Sequence, residues 1–239
     1  MNELAVPDAV LPASVDQPML IYRDDATGER VELSVRELSG WAARTARLLH
    51  EDCRMQVGDT AAVLLPPHWQ TAGVLLGAWA AGVSVSYQGW STAGLLDGAP
   101  VDARFVSAER RRSFLENLPE ATHCFVLGMG REVVDDLDYD VEVLRYSPDL
   151  PSYAPLRWTD EASVGGTTYR ELGSIAAGVA DQIGLRAGDR LLVDAASFEQ
   201  PIHWLLTPLA VGASVVVCAN LDRNRLTDLR AEENATHVL

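Results

Sequence analysis

A pair of glycines 24 residues apart occurs twice in this chain, at Gly58 and Gly82 and again at Gly188 and Gly212. Aligning 58–87 on 188–217 without gaps matches Gly58, Asp59, Val63, Gln70, Leu75, Leu76, Ala80, Gly82, Ser84 and Val85. Residue usage of this kind would give roughly two matches in such a window by chance. The two segments therefore answer to one architecture. Each opens with Gly-Asp, a turn signal, and continues into an apolar run, Ala62–Leu65 or Leu191–Val193, that reads as a strand. A helical stretch follows, about Trp69–Ala81 or Pro201–Val211, then the second glycine and another strand.

The similarity extends upstream. Leu33–Leu38 and Thr167–Leu172 match in pattern, and each starts a segment with helical periodicity. Val35, Leu38, Trp41, Ala42, Thr45, Leu48 and Leu49 share one face of the first, as do Tyr169, Leu172, Ile175, Ala176, Val179 and Ile183 of the second. Ser34 and Thr168 stand as N-caps, with Glu37 and Glu171 at the capping-box spacing. Strands that alternate with helices of this length imply βαβ units. The expected fold is α/β, with two related βαβ lobes and mostly parallel sheets. Residues 102–107 and 123–127 continue the first lobe as strands. Met19–Tyr22 and Arg30–Leu33, around Asp24–Gly28, read as a hairpin. The expected boundaries are 1–145 for the first lobe with its hairpin, 146–162 for a connecting segment rich in proline, and 163–239 for a second, shorter lobe.

Charge narrows the function classes. A net charge of −15 opposes nucleic-acid binding, which rests on neutralising phosphates, and opposes an anionic membrane surface. Arg110-Arg111-Arg112 is the one basic cluster, read here as the solvated face of a short helix, with an anion contact as the alternative. Cys53, Cys124 and Cys218 show no paired spacing, which suits a reducing compartment. No apolar run reaches the ~18 residues of a membrane span, and the first residues are not of signal-peptide type. A cytoplasmic location is the expectation. All 19 basic residues are arginine. Arginine is a poor Schiff-base or acyl-accepting nucleophile, so no mechanism that uses a lysine of this chain is open to it.

The order Val31–Leu38, Gly58–Leu65 and Trp69–Tyr87 resembles the opening of the large domain in the adenylate-forming (AMP-binding) superfamily: acyl-CoA synthetases, firefly-type luciferases and peptide-synthetase adenylation domains. Residues Thr168–Leu172 and Gly188–Leu239 resemble the second lobe of that domain. The resemblance spans most of residues 19–239 and implies a truncated large domain. It extends to short actinobacterial proteins distantly similar to AMP-binding enzymes. In active members the resemblance places a phosphate loop, a Ser/Thr/Gly run followed by Pro-Lys-Gly, just before the helix that here starts near Tyr169. This chain has Thr159–Thr168 there. Gly165, Gly166, Thr167 and Thr168 are the residues able to offer N–H groups and hydroxyls to an anion. Against that stand the short loop, the missing lysine, and Asp160 and Glu161, whose charge opposes a triphosphate. An ordinary turn before a capped helix is the preferred reading, so no cofactor is expected, ATP and AMP included. The adenine motif, the ribose-binding aspartate and the C-terminal lid of the family find no match.

Other patterns carry less. His50, His68, His123, His203 and His237 have no metal-ligand spacing, and no metal site is expected. No Gly-x-Ser-x-Gly elbow occurs. Asp135–Asp140 reads as a solvated acidic loop, and Gly128-Met129-Gly130 lacks the later glycine of a dinucleotide fingerprint. The expectation is a non-catalytic homologue, a pseudoenzyme, that acts as a binding or assembly protein, as a homo-oligomer or with a protein partner. The alternatives are half of a split adenylate-forming enzyme completed in trans, or a small-molecule sensor using an inter-lobe cleft.

Overall fold

The computed structural model describes residues 16–92, 98–113, 117–130, 138–149 and 156–239. Two sheets form. In the first, β3 (Thr60–Leu64), β4 (Ser84–Tyr87), β5 (Val101–Ser107) and β6 (Ala121–Leu127) take the order β4-β3-β5-β6, every pair parallel. In the second, β1 (Pro18–Asp24), β2 (Arg30–Ser34), β7 (Arg190–Asp194), β8 (Ser214–Ala219) and β9 (His237–Val238) take the order β2-β1-β8-β7-β9. Only the β1–β2 hairpin is antiparallel. The α/β fold with mostly parallel sheets is thus as the alternation of strand and helix patterns implied.

The duplication reaches individual hydrogen bonds. Gly58 N–H donates to Gly82 C=O at 3.0 Å, and Gly188 N–H to Gly212 C=O at 3.1 Å. Asp59 and Asp189 each close a turn through the side chain, accepting from Gln56 N–H at 2.7 Å and from Arg186 N–H at 2.8 Å. Their carbonyls accept from Ser84 and Ser214 N–H at 2.8 and 2.9 Å. The register then follows: Thr60 lies opposite Ser84, and Arg190 opposite Ser214. Gly82 and Gly212 adopt φ of 80° and 71°, the left-handed conformation that ends a helix and that side chains with a Cβ rarely take. At Gly82 a Cβ would also meet Val57 Cγ2 at 2.7 Å.

The helices show why the repeats are not copies. α1 (Val35–Arg47) begins with the expected capping box: Ser34 N–H and Oγ donate to Glu37 Oε2 at 2.8 and 2.7 Å, and Glu37 N–H returns to Ser34 Oγ at 3.3 Å. A wider π-type turn, Leu48–Asp52, extends it. α2 (Trp69–Ala80) is buried from Gln70 to Trp79, as befits a helix that is apolar all round. It approaches α1 through Gly73 and Gly77; a Cβ at Gly77 would lie 2.4 Å from Thr45 Cβ and 2.7 Å from the Ala42 carbonyl. In the second repeat α5 (Tyr169–Ile183) buries only Tyr169, Ala176 and Ala180, and Ile175 is exposed. The helix expected at Pro201–Val211 is a π-type turn, Ile202–Leu206, followed by α6 (Thr207–Val211). Pro208, where the first repeat has Ala78, has no N–H to donate and crowds the carbonyl four residues back, so the chain widens ahead of it. Short helices α3 (Ala108–Arg111), α4 (Tyr139–Val143) and α7 (Leu226–Glu232) complete the set.

Two compact units result. One takes the chain up to Leu38, Pro67–Trp69 and Tyr169–Leu239; the other takes Ser39–Pro66 and Gln70–Thr168. The hairpin, placed with the first lobe from sequence, pairs instead with β8 and belongs to the unit that holds the second repeat. Its tie there is ionic as well. Glu233, 4% exposed, accepts from Arg23 at 2.8 Å and from Arg30 Nε and Nη2 at 3.1 and 3.0 Å. Arg190 Nη1 donates to the Glu233 carbonyl at 2.7 Å. Residues 163–168, assigned to the second lobe from sequence, group with the first repeat. Residues 150–155 of the connecting segment and 135–137 of the acidic run lie outside the described residues. No helix among the described residues is long and apolar enough to cross a membrane.

Candidate functional site

The stretch 162–168 is a tight turn laid along the edge of β4. Ala162 and Ser163 N–H both donate to the Thr167 carbonyl, at 2.8 and 3.2 Å, and Gly166 N–H donates to the Ser163 carbonyl at 2.9 Å. Thr167 N–H donates to Ser163 Oγ at 3.2 Å. Val85 N–H donates to the Ala162 carbonyl and Val164 N–H to the Val85 carbonyl, at 3.0 and 3.2 Å, which fixes the turn to the sheet. Trp79 Nε1 adds a bond to the Ala162 carbonyl at 2.9 Å. Gly166 has φ 83°, which lets the chain reverse. Of the N–H groups from Ala162 to Thr167, only that of exposed Gly165 has no acceptor within the described chain. An anion cradle needs several N–H groups converging on one point. Here four of them close on the turn's own oxygens and that of Val164 on β4. Gly165, Gly166 and Thr167 are brought together, with Thr168 facing Glu161 across the turn. Asp160 caps its own turn by accepting from Arg157 N–H at 2.7 Å.

Ligands of parallel sheets sit at the carboxyl ends of the strands, and the two units differ there. In the first repeat β3 runs into Leu64, Leu65 and two prolines. Nearby, Arg110 is 1% exposed; its N–H caps on Ser107 Oγ at 3.1 Å and its Nη1 donates to the Gln88 carbonyl at 2.5 Å. Its guanidinium carbon lies 5.5 Å from the Trp90 ring centre. The solvated-face reading of the arginine cluster therefore holds for Arg111 and Arg112, which are exposed, and fails for Arg110. A four-residue helix turns one residue in three or four inward, and Arg110 is that residue.

In the second repeat the strand end is polar. Asp194, 9% exposed, stands where the first repeat has Leu64. It accepts from Ala196 N–H at 3.1 Å, Ser197 Oγ at 2.8 Å and Arg223 at 3.3 Å. His203 packs edge-on against Phe198, ring centres 5.4 Å apart. Sequence reading passed over Asp194, although the ungapped repeat alignment exposes it as a polar residue in an apolar column. Its partners are all loop-forming, so the arrangement shapes the β7 exit and presents no nucleophile with a base.

Other ionisable groups are buried or half-buried. His68, 1% exposed, lies with Nε2 3.7 Å from Glu29 and its ring against Tyr22, centres 4.2 Å apart. Burial pushes its pKa down while Glu29 pulls the other way. The neighbouring His68 ring holds the Glu29 carboxyl below its usual range. Burial pushes the Cys53 and Cys218 thiols up to about 12, so both stay protonated near neutrality. Among the described residues no three His, Cys, Asp or Glu side chains gather as metal ligands. A cavity of about 250 Å³ lies beside β6, lined by Leu48, Asp52, Cys53, His123, Phe125 and Glu142 among others. That volume is a little below the usual range for drug-sized ligands.

No family model matches the chain. Among solved structures it is similar to the Brucella canis acyl-CoA synthetase, with a TM-score of 0.75 at 18% identity over 95% of this chain and 45% of that one. The acetoacetyl-CoA synthetase of Streptomyces lividans gives 0.72 at 20% identity, over 93% and 40%. The N-terminal domain of FACL13 from Mycobacterium tuberculosis gives 0.70 at 18%, over 92% and 58%. The chain thus spans about half the length of these structures, and the likeness is one of fold. A sequence relative is nearer: a TIGR03089 family protein of Mycobacterium tuberculosis (strain ATCC 25618 / H37Rv) is 34% identical over 248 residues, 98% of this chain and 96% of that protein. On that near-complete match the chain belongs to the TIGR03089 family, and it is built on the N-terminal fold of acyl-CoA synthetases.

Proposed function

We propose that this chain is a non-catalytic relative of the adenylate-forming enzymes that works as a binding or assembly protein. The observation that carries the reading is the absence of lysine among its 19 basic residues, at a fold where the resemblance calls for one. The closed turn at 162–168 supports it, since the N–H groups that an anion would need are spent on Thr167 and Ser163 oxygens. Asp160 and Glu161 add charge of the wrong sign beside it. ATP–pyrophosphate exchange by the purified chain, with a broad panel of carboxylic acids, tests the reading. Exchange no faster than buffer is expected; robust turnover would overturn it.

One observation favours a second reading. The acyl-CoA synthetase structures it matches extend well beyond the aligned region, which covers 40–58% of them. A chain of this kind could serve as half of a split enzyme. That reading predicts exchange activity only when a protein supplying the lysine is added, whereas the first predicts none under either condition.

A further inference from the structure

The helices that open the two repeats share a pattern and meet different surroundings. Pairing Leu33–Leu38 with Thr167–Leu172 sets Gly40, Ala43, Arg44 and Arg47 of α1 against Ser174, Ala177, Gly178 and Asp181 of α5. In the first repeat this face is covered. A Cβ at Gly40 would lie 3.2 Å from Pro148 Cβ, and Ala43 is buried. Arg44 and Arg47 donate from Nε to the Tyr146 and Asp149 carbonyls, each at 3.2 Å. In the second repeat Ser174, Ala177, Gly178 and Asp181 are all exposed, and a Cβ at Gly178 would have nothing within 4 Å. Among the described residues nothing takes the place of Tyr146–Asp149 over α5.

A helix surface left in water is normally charged. This one has no charged residue from Leu172 to Ala180, and Ile175 is 49% exposed. Charge stands at its two ends, where the helix dipole disfavours it: Arg170 in the first turn, Asp181 in the last. Arg170, Ser174, Ala177 and Asp181 fall at i, i+4, i+7 and i+11, along one seam. Laid antiparallel on its own copy, the seam sets Arg170 against Asp181 and Ser174 against Ala177. A parallel copy would set like charges together. The Arg170 side chain has no partner among the described residues. Asp181 accepts from Arg186 on Oδ1 at 3.2 Å and keeps Oδ2 open. A second guanidinium can therefore join it, as Arg23 and Arg30 both join Glu233.

We propose that the exposed face of α5 is a two-fold interface with a second copy of this chain, the two helices antiparallel and Arg170 of each on the partner's Asp181. A segment like 146–149 is not the occupant, because Arg44 and Arg47, which seat it on α1, are replaced by Gly178 and Asp181. The net charge of −15 opposes any dimer, yet physiological salt screens it beyond about 8 Å, and the seam itself is balanced. Two 15-residue helices, each about 22 Å long, bury well under the ~1,200 Å² of a tight complex. The dimer is accordingly weak, with a Kd of roughly 10 µM to 1 mM. It rests on the assembly reading and names that reading's surface and occupant. Pyrophosphate exchange does not depend on it, so the two fail separately.

Sedimentation equilibrium of the full chain, from about 10 µM to 1 mM in physiological salt, tests it. A monomer–dimer equilibrium within that range is expected. Arg170→Asp or Asp181→Arg alone weakens the dimer about tenfold, and the two together restore it to within about threefold. The helix dipole favours both changes and offsets the exposed Arg186 pair that Asp181→Arg gives up. The monomer therefore keeps its melting temperature, and loss of the dimer is not loss of the fold. Ala177→Glu, at the exposed centre of the seam, abolishes dimerisation. A monomer at every concentration overturns the proposal, since the occupant is then something other than a second copy. So does a dimer that Ala177→Glu leaves intact, or a double variant no tighter than the single ones.

Discussion

The two repeats agree at their Gly-Asp turns bond for bond, yet their helices meet different surroundings. In the first, α2 is sealed on all sides and lies against α1 through Gly73 and Gly77. In the second, the matching positions are His203 and Thr207, the helix is interrupted by Pro208, and α5 keeps much of its surface exposed. Each repeat also extends a common three-strand core, β4-β3-β5 or β8-β7-β9, at opposite ends: β6 joins β5, while the β1–β2 hairpin joins β8. What the pair shares is backbone hydrogen bonding that only Gly, Asp and register require. Side-chain volume and strand-end polarity are set locally and have drifted.

The sharpest break of this comparison is Gly77→Val. With backbone and a Thr45 carbon already within 3 Å of the missing Cβ, overpacking costs about 3 kcal/mol or more, read as a drop in denaturation midpoint. Thr207→Val at the equivalent position keeps its volume and loses one hydroxyl bond to Ile202, costing about 1 kcal/mol. Equal losses would mean that the two helix pairs are packed alike.

Next comes the hairpin's tie to the second repeat. Removing Glu233 as Glu233→Ala takes its bonds from Arg23 and Arg30, leaves Arg23 on Glu232 at 3.2 Å, and costs about 2 kcal/mol, as for a hydrogen bond to a charged group. Burial alone would raise the Glu233 pKa, but bonds to Arg30 and Arg23 outweigh it and hold it below the usual range. A lowered folded pKa gives stability that is present above the unfolded value, near 4.3, and lost as pH falls through the folded one. Acid titration of stability should therefore be shallower in Glu233→Ala below about pH 4.3.

His68 and its counterpart Phe198 differ with the opposite chemistry. A buried histidine with a depressed pKa must be neutral in the fold, so protons favour the unfolded chain as pH falls below about 6.5. His68→Phe should remove up to one proton of slope as pH falls below about 6.5, at most about 1.4 kcal/mol per pH unit. An unchanged slope would show that Glu29 keeps the imidazolium inside the fold. The smallest effect is a gain: Gly178→Ala on α5, with nothing within 4 Å of the added carbon, stabilises by about 0.5–1 kcal/mol.

Much of this frame is legible in the sequence because turn chemistry and periodicity are local. The Gly58/Gly82 spacing, the Ser34–Glu37 capping box and nearly every strand follow from residues within a few positions of one another. The hairpin went to the other unit because strand pairing over some 190 residues, Tyr22 against Val217, leaves no local mark. Arg110 was misread for a related reason: burial of one arginine out of three depends on where β4 and β5 end. The candidate turn was legible as a turn, with Gly166 supplying the left-handed residue. That its N–H groups close on Thr167 and Ser163 depends on docking against β4, which no spacing reveals.

Calorimetric titration of the full chain with MgATP tests most directly the proposal that the turn at 162–168 holds no nucleoside triphosphate. The account predicts no saturable heat up to millimolar ligand. Saturable binding that Gly166→Val abolishes would place a working phosphate loop at 162–168 and contradict it.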